Sequence, residues 1–212
     1  MVNTVHSYLL FSVHFSLSVT PDTIITKDNI YEVLEHCDLD PNNLVKKEGP
    51  FTVNGNPVTV AEFEMAINKI RQLPEKTSNT YYVTANDPNT KASLKSTGVT
   101  VSTQVWHEGD GMDWLLEFTA NGDAEISPTP HWKSYWKEAN WGDVEVAQSW
   151  PGMVQQATNK QITVEVNNPN TQNSVLVLEA TYDIQHYYAG VLADTTSHSD
   201  TVYFDSSFLP NG

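Results

Sequence analysis

The residue types best suited to bind a ligand are concentrated in one aromatic segment. Four of the six tryptophans lie between residues 132 and 150, and one helical turn would place Trp132, Tyr135 and Trp136 on a single face. Large rigid rings with a polar edge stack on sugars or insert at a lipid interface. Together with Trp141, these residues predict a platform that binds a glycan or a lipid headgroup. The alternative is that the same rings belong to a hydrophobic core.

The end of this aromatic segment resembles a known family. Residues 139–146 (ANWGDVEV), with residues 97–99 and 115–118 upstream, resemble the headgroup-binding region of the actinoporins, which are pore-forming cytolysins. The resemblance implies an aromatic loop that runs into a strand, and a pore-forming activity. The insertion at residues 121–130 and the acidic net charge depart from the family's pattern.

A glycine-rich turn carries a group of carboxylates. Glu108, Asp110 and Asp113 lie within six residues, between two predicted strands. Calcium is bound by several carboxylate and carbonyl oxygens, so this turn predicts a candidate Ca²⁺ site. The alternative is an acidic turn that is simply solvated.

Recognisable catalytic motifs are absent from the sequence, which favours a non-enzymatic protein. There is no Gly-x-Ser-x-Gly elbow, no phosphate-binding glycine loop and no His-Glu-x-x-His pair. A glycosidase needs only two placed carboxylates, so Glu117 and the acidic turn keep a hydrolase as an alternative. His186 lies on an apolar strand face, where a hydrogen-bonded core histidine is expected.

Composition narrows the range of partners. Eleven Lys and Arg residues against 26 Asp and Glu residues give a net charge of −15, which repels nucleic acid, so no nucleic-acid partner is expected. No apolar run is long enough for a transmembrane helix. The single Cys37 forms no internal disulfide. Few lysines and many Asn and Thr residues are typical of an extracellular or virion protein.

The N-terminal third predicts a strand, two short amphipathic helices and a hairpin. Hydrophobic residues alternate with polar ones over residues 11–19, which indicates a strand. A helix is predicted over residues 28–37, with Thr26 or Asp28 as its N-cap. The Asn54-Gly55 pair predicts a tight hairpin turn. The second helix begins after a capping box that starts at Thr59, and it ends near residue 73.

The rest of the chain predicts almost only strands. The fold class is therefore mainly β, an antiparallel β-sandwich or twisted sheet with two short helices, and α+β overall. We expect a single domain of residues 1–212, with a possible division into residues 1–78 and 79–212. The candidate strands are residues 81–85, 99–106, 114–118, 144–147, 162–166, 175–188 and 201–204.

Two segments of the predicted sheets resemble one another. Residues 83–93 and 164–174 each run from a strand through Asn-Asx-Pro-Asn-Thr into another strand. Similar turn chemistry explains the likeness without kinship, because Asx residues and proline favour such turns independently. A true internal repeat is the less favoured alternative.

Three classes of function follow. The favoured one is a non-enzymatic module that recognises a glycan or a lipid headgroup through the aromatic platform. The second is a structural or self-assembling protein of a surface, filament or virion, in which the N-terminal strand pairs with another copy and forms a homo-oligomer. The third comprises a glycoside hydrolase-like enzyme and an actinoporin-like pore former.

Overall fold

Two four-stranded β-sheets make up most of the structure. The computed structural model describes residues 19–45, 51–95, 98–107, 112–129 and 131–210. Each sheet presents one apolar face to the other, and the core lies between them. The mainly β, sandwich-like fold with two helices confirms the predicted fold class.

After a short hairpin of β1 (Thr52–Val53) and β2 (Asn56–Pro57), the two sheets are formed by β3 (Lys76–Val83), β4 (Thr90–Lys95), β5 (Gly98–His107), β6 (Trp114–Glu125), β7 (Tyr135–Gln148), β8 (Met153–Asn167), β9 (Val175–Tyr188) and β10 (Val191–Phe204). The sheets differ in topology. The first sheet has the order β3-β10-β9-β8, and its pair β3–β10 is parallel while its other pairs are antiparallel. The second sheet has the order β4-β5-β6-β7 and is antiparallel throughout.

The second helix and the hairpin agree with their sequence signals. Helix α2 (Val60–Ile70) begins with a capping box, in which the backbone N–H of Glu62 donates to the Thr59 hydroxyl and the Glu62 carboxylate accepts from the Thr59 N–H. The hairpin pairs β1 (Thr52–Val53) with β2 (Asn56–Pro57). Asn54 and Gly55 have φ values of 51° and 82°, as a type I′ turn requires.

The first helix, α1 (Ile30–His36), is shorter than predicted. Its N-cap is Asn29, and not Thr26 or Asp28. The Asn29 side chain donates to the carbonyl of Ile24 and accepts from the backbone N–H of Thr26, so it holds the chain that enters the helix. The two predicted N-caps were therefore wrong, because a turn precedes the helix: the backbone N–H groups of Asn29 and Ile30 both donate to the carbonyl of Thr26.

Several strands extend beyond their predicted bounds: β6 continues to residue 125, β8 begins at residue 153 and β10 begins at residue 191. The list of candidate strands lacks β4, although the likeness of residues 83–93 to residues 164–174 implied a strand after the turn. β7 begins at residue 135 instead of 144, so Tyr135 and Trp136 lie in a strand and not in the expected helical turn. β7 pairs with β6 along its length, and these ladder bonds replace the helical ones. The predicted strand over residues 11–19 lies outside the described residues, apart from Val19.

The core is continuous from the N-terminal helices into the sandwich. Residues from Ile25 to Leu209 belong to one buried apolar cluster. The ring of Phe63 on α2 packs against Tyr188 at the end of β9, with the centroids 6.1 Å apart. The inner face of β9 matches its predicted alternation, and its buried residues are Leu176, Leu178, Ala180, Tyr182, Ile184, His186 and Tyr188.

The two similar turn segments are structurally different. The first, residues 86–89, connects β3 of the first sheet to β4 of the second sheet. The other, residues 168–174, connects β8 and β9, which are neighbours in the first sheet. Asn168 and Asn170 adopt left-handed conformations, with φ values of 52° and 61°, and residues 86–89 do not. This difference supports similar turn chemistry and not a repeat.

Candidate functional site

An open groove at one end of the sandwich contains two of the predicted ligand-binding residues. Trp132, in the connection between β6 and β7, is 70% exposed, and Tyr135 is half-buried at the start of β7. The groove has a volume of about 370 Å³. Its lining combines apolar and polar side chains: Glu125, Ile126, Ser127, Pro128, Trp132, Lys133, Tyr135, Asn170, Thr171 and Gln172.

Hydrogen bonds hold the connection that carries Trp132. The backbone N–H of Ser127 donates to the hydroxyl of Ser134, at 3.0 Å, and the Ser134 hydroxyl donates to the carbonyl of Pro210 near the C-terminus. The backbone N–H of Trp132 donates to the carbonyl of Thr129, at 3.3 Å. Ser134 is fully buried, so the base of the connection is fixed while the indole above it is exposed.

The opposite wall of the groove comes from the β8–β9 turn. The backbone N–H of Asn170 donates to the carbonyl of Trp136, at 3.1 Å, and the backbone N–H of Trp136 donates to the hydroxyl of Ser174, at 2.7 Å. The two bonds attach the turn to β7. They place Asn170, Thr171 and Gln172, all exposed, beside the aromatic residues.

Trp136 belongs to the core and not to an exposed platform. Its side chain is fully buried, and its indole N–H donates to the carbonyl of Asp205, at 3.2 Å. Because β7 is a strand, Tyr135 and Trp136 point to opposite sides, and a shared helical face does not exist. The helical spacing was therefore the wrong period for this segment.

Trp141 lies further along β7 and does not line the groove. It is 50% exposed and pairs with Asn121 of β6. The segment with the actinoporin resemblance is thus strand throughout, and not a loop that runs into a strand. Trp132 and Trp141 are separate exposed aromatic positions, so the four predicted residues do not form one platform.

Only part of the predicted acidic turn lies within the described residues. Glu108 and Asp110 lie outside the described residues, and Asp113 is exposed just before β6. Among the described residues, no group of three or more His, Cys, Asp or Glu side chains is arranged to hold a metal ion. Glu117 lies on β6, opposite Glu145 of β7. The calcium site stays a prediction from sequence.

A second polar group, buried between the sheets, was not predicted as a unit. His107, His186 and His198 are at most 7% exposed, and the ring of Trp114 packs against all three. The closest of these contacts is a stack of Trp114 on His107, with centroids 4.4 Å apart. His198 in turn stacks on Tyr182. The rings come from β5 and β6 of the second sheet and from β9 and β10 of the first.

Hydrogen bonds join these histidines into one chain. Gln155 contacts His186 Nδ1 at 3.1 Å, and Thr196 Oγ1 lies 2.9 Å from His186 Nε2 and 2.8 Å from His198 Nε2. Thr77 Oγ1 then lies 2.6 Å from His198 Nδ1 and 3.3 Å from His107 Nε2. We call this series, Gln155, His186, Thr196, His198, Thr77 and His107, the histidine chain.

The direction of the histidine chain follows from its first member. The carbonyl oxygen of Gln155 accepts from the backbone N–H of Trp150, so its amide nitrogen faces and donates to His186 Nδ1. A neutral His186 then donates from Nε2 to Thr196. Each threonine hydroxyl has one proton to donate, and Thr196 already accepts from His186. Thr196 therefore donates to His198 Nε2, and the neutral His198 donates from Nδ1 to Thr77. The Thr77 hydroxyl then donates to His107 Nε2.

The two ends of the histidine chain differ. At the Gln155 end, the amide is hydrogen-bonded on both sides. At the other end, His107 Nδ1 is buried and has no hydrogen-bond partner among the described residues, and the same holds for the indole nitrogen of the stacked Trp114. Burial lowers the pKa of His107, and the carboxylate of Asp200 acts in the opposite direction. Asp200 is itself buried and accepts from the Tyr182 hydroxyl at 2.5 Å and from Asn79.

Burial also lowers the pKa of the other two histidines. It lowers the pKa of His186 to about 4, with a further contribution from His107. It lowers the pKa of His198 to about 3, and both other histidines add to this effect, while Asp183 opposes it. The expectation that His186 is a hydrogen-bonded core residue is confirmed, since it is fully buried and bonded at both ring nitrogens.

Comparison with known proteins gives no relative: no family model, no curated protein and no solved structure matches the chain. None of the helices in the described ranges is long and apolar enough to cross a membrane. The arguments for function therefore depend on the geometry of this chain.

Sequence reasoning missed the polar half of the groove and the histidine chain. Asn170, Thr171 and Gln172 are ordinary turn residues in sequence, and only the bonds to β7 bring them to Trp132. One local signal did exist for the histidine chain. Thr196, His198 and Asp200 alternate on β10, and alternating polar residues on an inward strand face indicate a buried polar network.

Proposed function

We propose that the chain is a non-enzymatic recognition module that binds a glycan in the groove of Trp132 and Tyr135. The observation that carries the proposal is the position of Trp132. Its indole is largely exposed above a base that is fixed by Ser127, Ser134 and Pro210. An aromatic ring held open to solvent is ready to stack on a ligand without reorganisation.

The composition of the groove suits a sugar. One wall offers the Trp132 and Tyr135 rings for the apolar face of a pyranose, and the other offers amide and hydroxyl groups of Asn170, Thr171 and Gln172. Such groups both donate and accept hydrogen bonds, as ring hydroxyls do. Sites of this size fix a ligand's orientation with a few polar groups on a largely apolar surface.

The charges near the groove are mixed. Glu125 forms an ion pair with Lys137, at 3.5 Å, and Lys133 adds a positive charge to the lining. The chain as a whole carries a net charge of −15, which disfavours an anionic bilayer. A glycan is therefore favoured over a lipid headgroup, and both neutral and acidic sugars belong in the test.

The test is calorimetric titration of the intact protein with neutral oligosaccharides, with acidic oligosaccharides, and with neutral and anionic liposomes. We expect saturable binding of at least one oligosaccharide. Replacing Trp132 with alanine should weaken that binding by about 2 kcal/mol, or about 30-fold, because the stacking surface is lost. Tyr135→Ala should weaken it as well.

The matched control is Trp141→Ala, which removes an exposed tryptophan outside the groove. Its affinity for the oligosaccharide should equal that of the unmodified protein. Equal loss in Trp132→Ala and Trp141→Ala would contradict a site confined to the groove. Binding of liposomes without binding of any oligosaccharide would replace the glycan with a lipid headgroup.

A further inference from the structure

We propose that the histidine chain makes the contact between the two sheets acid-sensitive: protonation of His186 or His198 breaks the chain and loosens the sandwich at this end. The inference is independent of the glycan groove. The histidine chain lies on β3, β5, β8, β9 and β10 beside the start of β6, whereas the groove involves the end of β6, the start of β7 and the β8–β9 turn.

Hydrogen-bond direction is the first argument. His186 Nδ1 accepts from the Gln155 amide, whose own orientation is fixed by the backbone N–H of Trp150. A proton on His186 Nδ1 would set two donors against each other. A proton on His198 Nε2 would likewise face the Thr196 hydroxyl, which donates to it. The chain therefore accommodates neutral imidazoles, and a buried cation breaks at least one bond.

The second argument is that the described residues supply no carboxylate hydrogen-bonded to His186 or His198. Asp200, the carboxylate buried nearest the chain on β10, already accepts from Tyr182 and Asn79. Asp183 of β9 is bonded to Asn159 and Ser197. On β3 and β8, the histidine chain contains the uncharged side chains of Thr77 and Gln155. Among the described residues, none with a negative charge is hydrogen-bonded to either ring.

Position between the sheets is the third argument. Thr77 of the first sheet contacts His107 of the second, and Trp114 of the second sheet packs edge to face on His186, with centroids 5.4 Å apart. Trp114 makes a similar contact with His198, at 6.0 Å. A charged ring within this cluster weakens the contacts that join the sheets, and not only those inside one sheet.

The pH range follows from the two protonation states. A histidine in the unfolded chain has a pKa near 6.5, whereas burial lowers the pKa of His186 to about 4 and that of His198 to about 3. The unfolded state thus binds more protons at intermediate pH. The stability that these residues contribute is complete above pH 6.5 and is lost as the pH falls from there towards 4 and 3.

The experiment is chemical denaturation of the full chain at pH 7.5, 6.5, 5.5 and 4.5. Between pH 7.5 and 5.5, the unfolding equilibrium constant should rise about tenfold for each histidine. His186→Gln and His198→Gln each keep a hydrogen-bond donor and an acceptor but remove the ionisable imidazole. In each variant, the tenfold rise of the unfolding equilibrium constant that comes from the replaced histidine should therefore disappear. His131→Gln, at an exposed histidine, is the matched control and should leave the dependence unchanged.

A pH dependence that is the same in all four proteins would overturn the proposal. If the two core variants do not fold, long-range ¹H–¹⁵N spectra of the unmodified protein decide the matter. At pH 5.5 the folded protein should show His186 neutral with its proton on Nε2, and His198 neutral with its proton on Nδ1. A charged ring, or the opposite tautomer at His186, would contradict the directed chain.

Discussion

Three tryptophans of one segment have different environments, although their side chains are identical. Trp132 is in a connection and exposed, Trp136 is in the core, and Trp141 is on a strand and half exposed. The two-residue period of an extended chain explains Trp136: it shares the inner side with Ser134, while Tyr135 faces the groove. At the residue scale, backbone geometry and not residue type decides which ring can meet a ligand.

The different environments predict different effects on stability. Trp136→Ala removes a fully buried indole and its hydrogen bond to Asp205, and it should cost about 3–5 kcal/mol of unfolding free energy. Trp132→Ala removes an exposed ring and should cost about 0.5 kcal/mol or less. Urea denaturation, followed by circular dichroism, measures both. A comparable loss in the two variants would show that Trp132 also supports the fold.

At the scale of elements, the sequence predicted the helices and strands whose buried residues follow a regular apolar period. The inner row of β9 alternates, and α2 has both a capping box and an apolar stripe. β4 gives no such signal, because its residues are almost all exposed and hydrogen bonds to β5 define it. The groove needed contacts between β7 and the β8–β9 turn, which no local pattern encodes.

The approach of β7 to the first sheet predicts the effect of one added methyl group. A Cβ at Gly142 would lie 2.7 Å from Val164 Cγ2 and 2.8 Å from Leu178 Cδ1, both across the sandwich. Gly142→Ala should therefore cost about 1–3 kcal/mol by overpacking. In the Gly142→Ala/Val164→Ala double variant, the losses should be less than additive, because one obstacle is gone. Additive losses, measured by urea denaturation, would exclude this contact as the cause.

At the scale of the whole molecule, the N-terminal helices and the sandwich share one apolar cluster. Phe63 of α2 packs on Tyr188, Leu44 forms a β-bridge with Val191, and the ammonium of Lys69 lies over the ring of Trp150. These contacts join the helix-containing part and the β-sandwich part, between which the predicted elements allowed a division near residue 78. Elements that share buried surface of this kind are expected to unfold together.

This sharing predicts a single cooperative unfolding transition, and the chain contains a separate probe for each part. The only cysteine, Cys37, is buried just after α1, where burial raises its thiol pKa to about 11, so it should react slowly in the folded state. All six tryptophans lie at or beyond residue 106, so fluorescence reports the sandwich. Thiol reactivity and Trp emission, followed against denaturant, should have the same midpoint. Exposure of Cys37 at a lower denaturant concentration than the change in emission would instead divide the chain into two units, because the helical part would then open while the two sheets stayed packed.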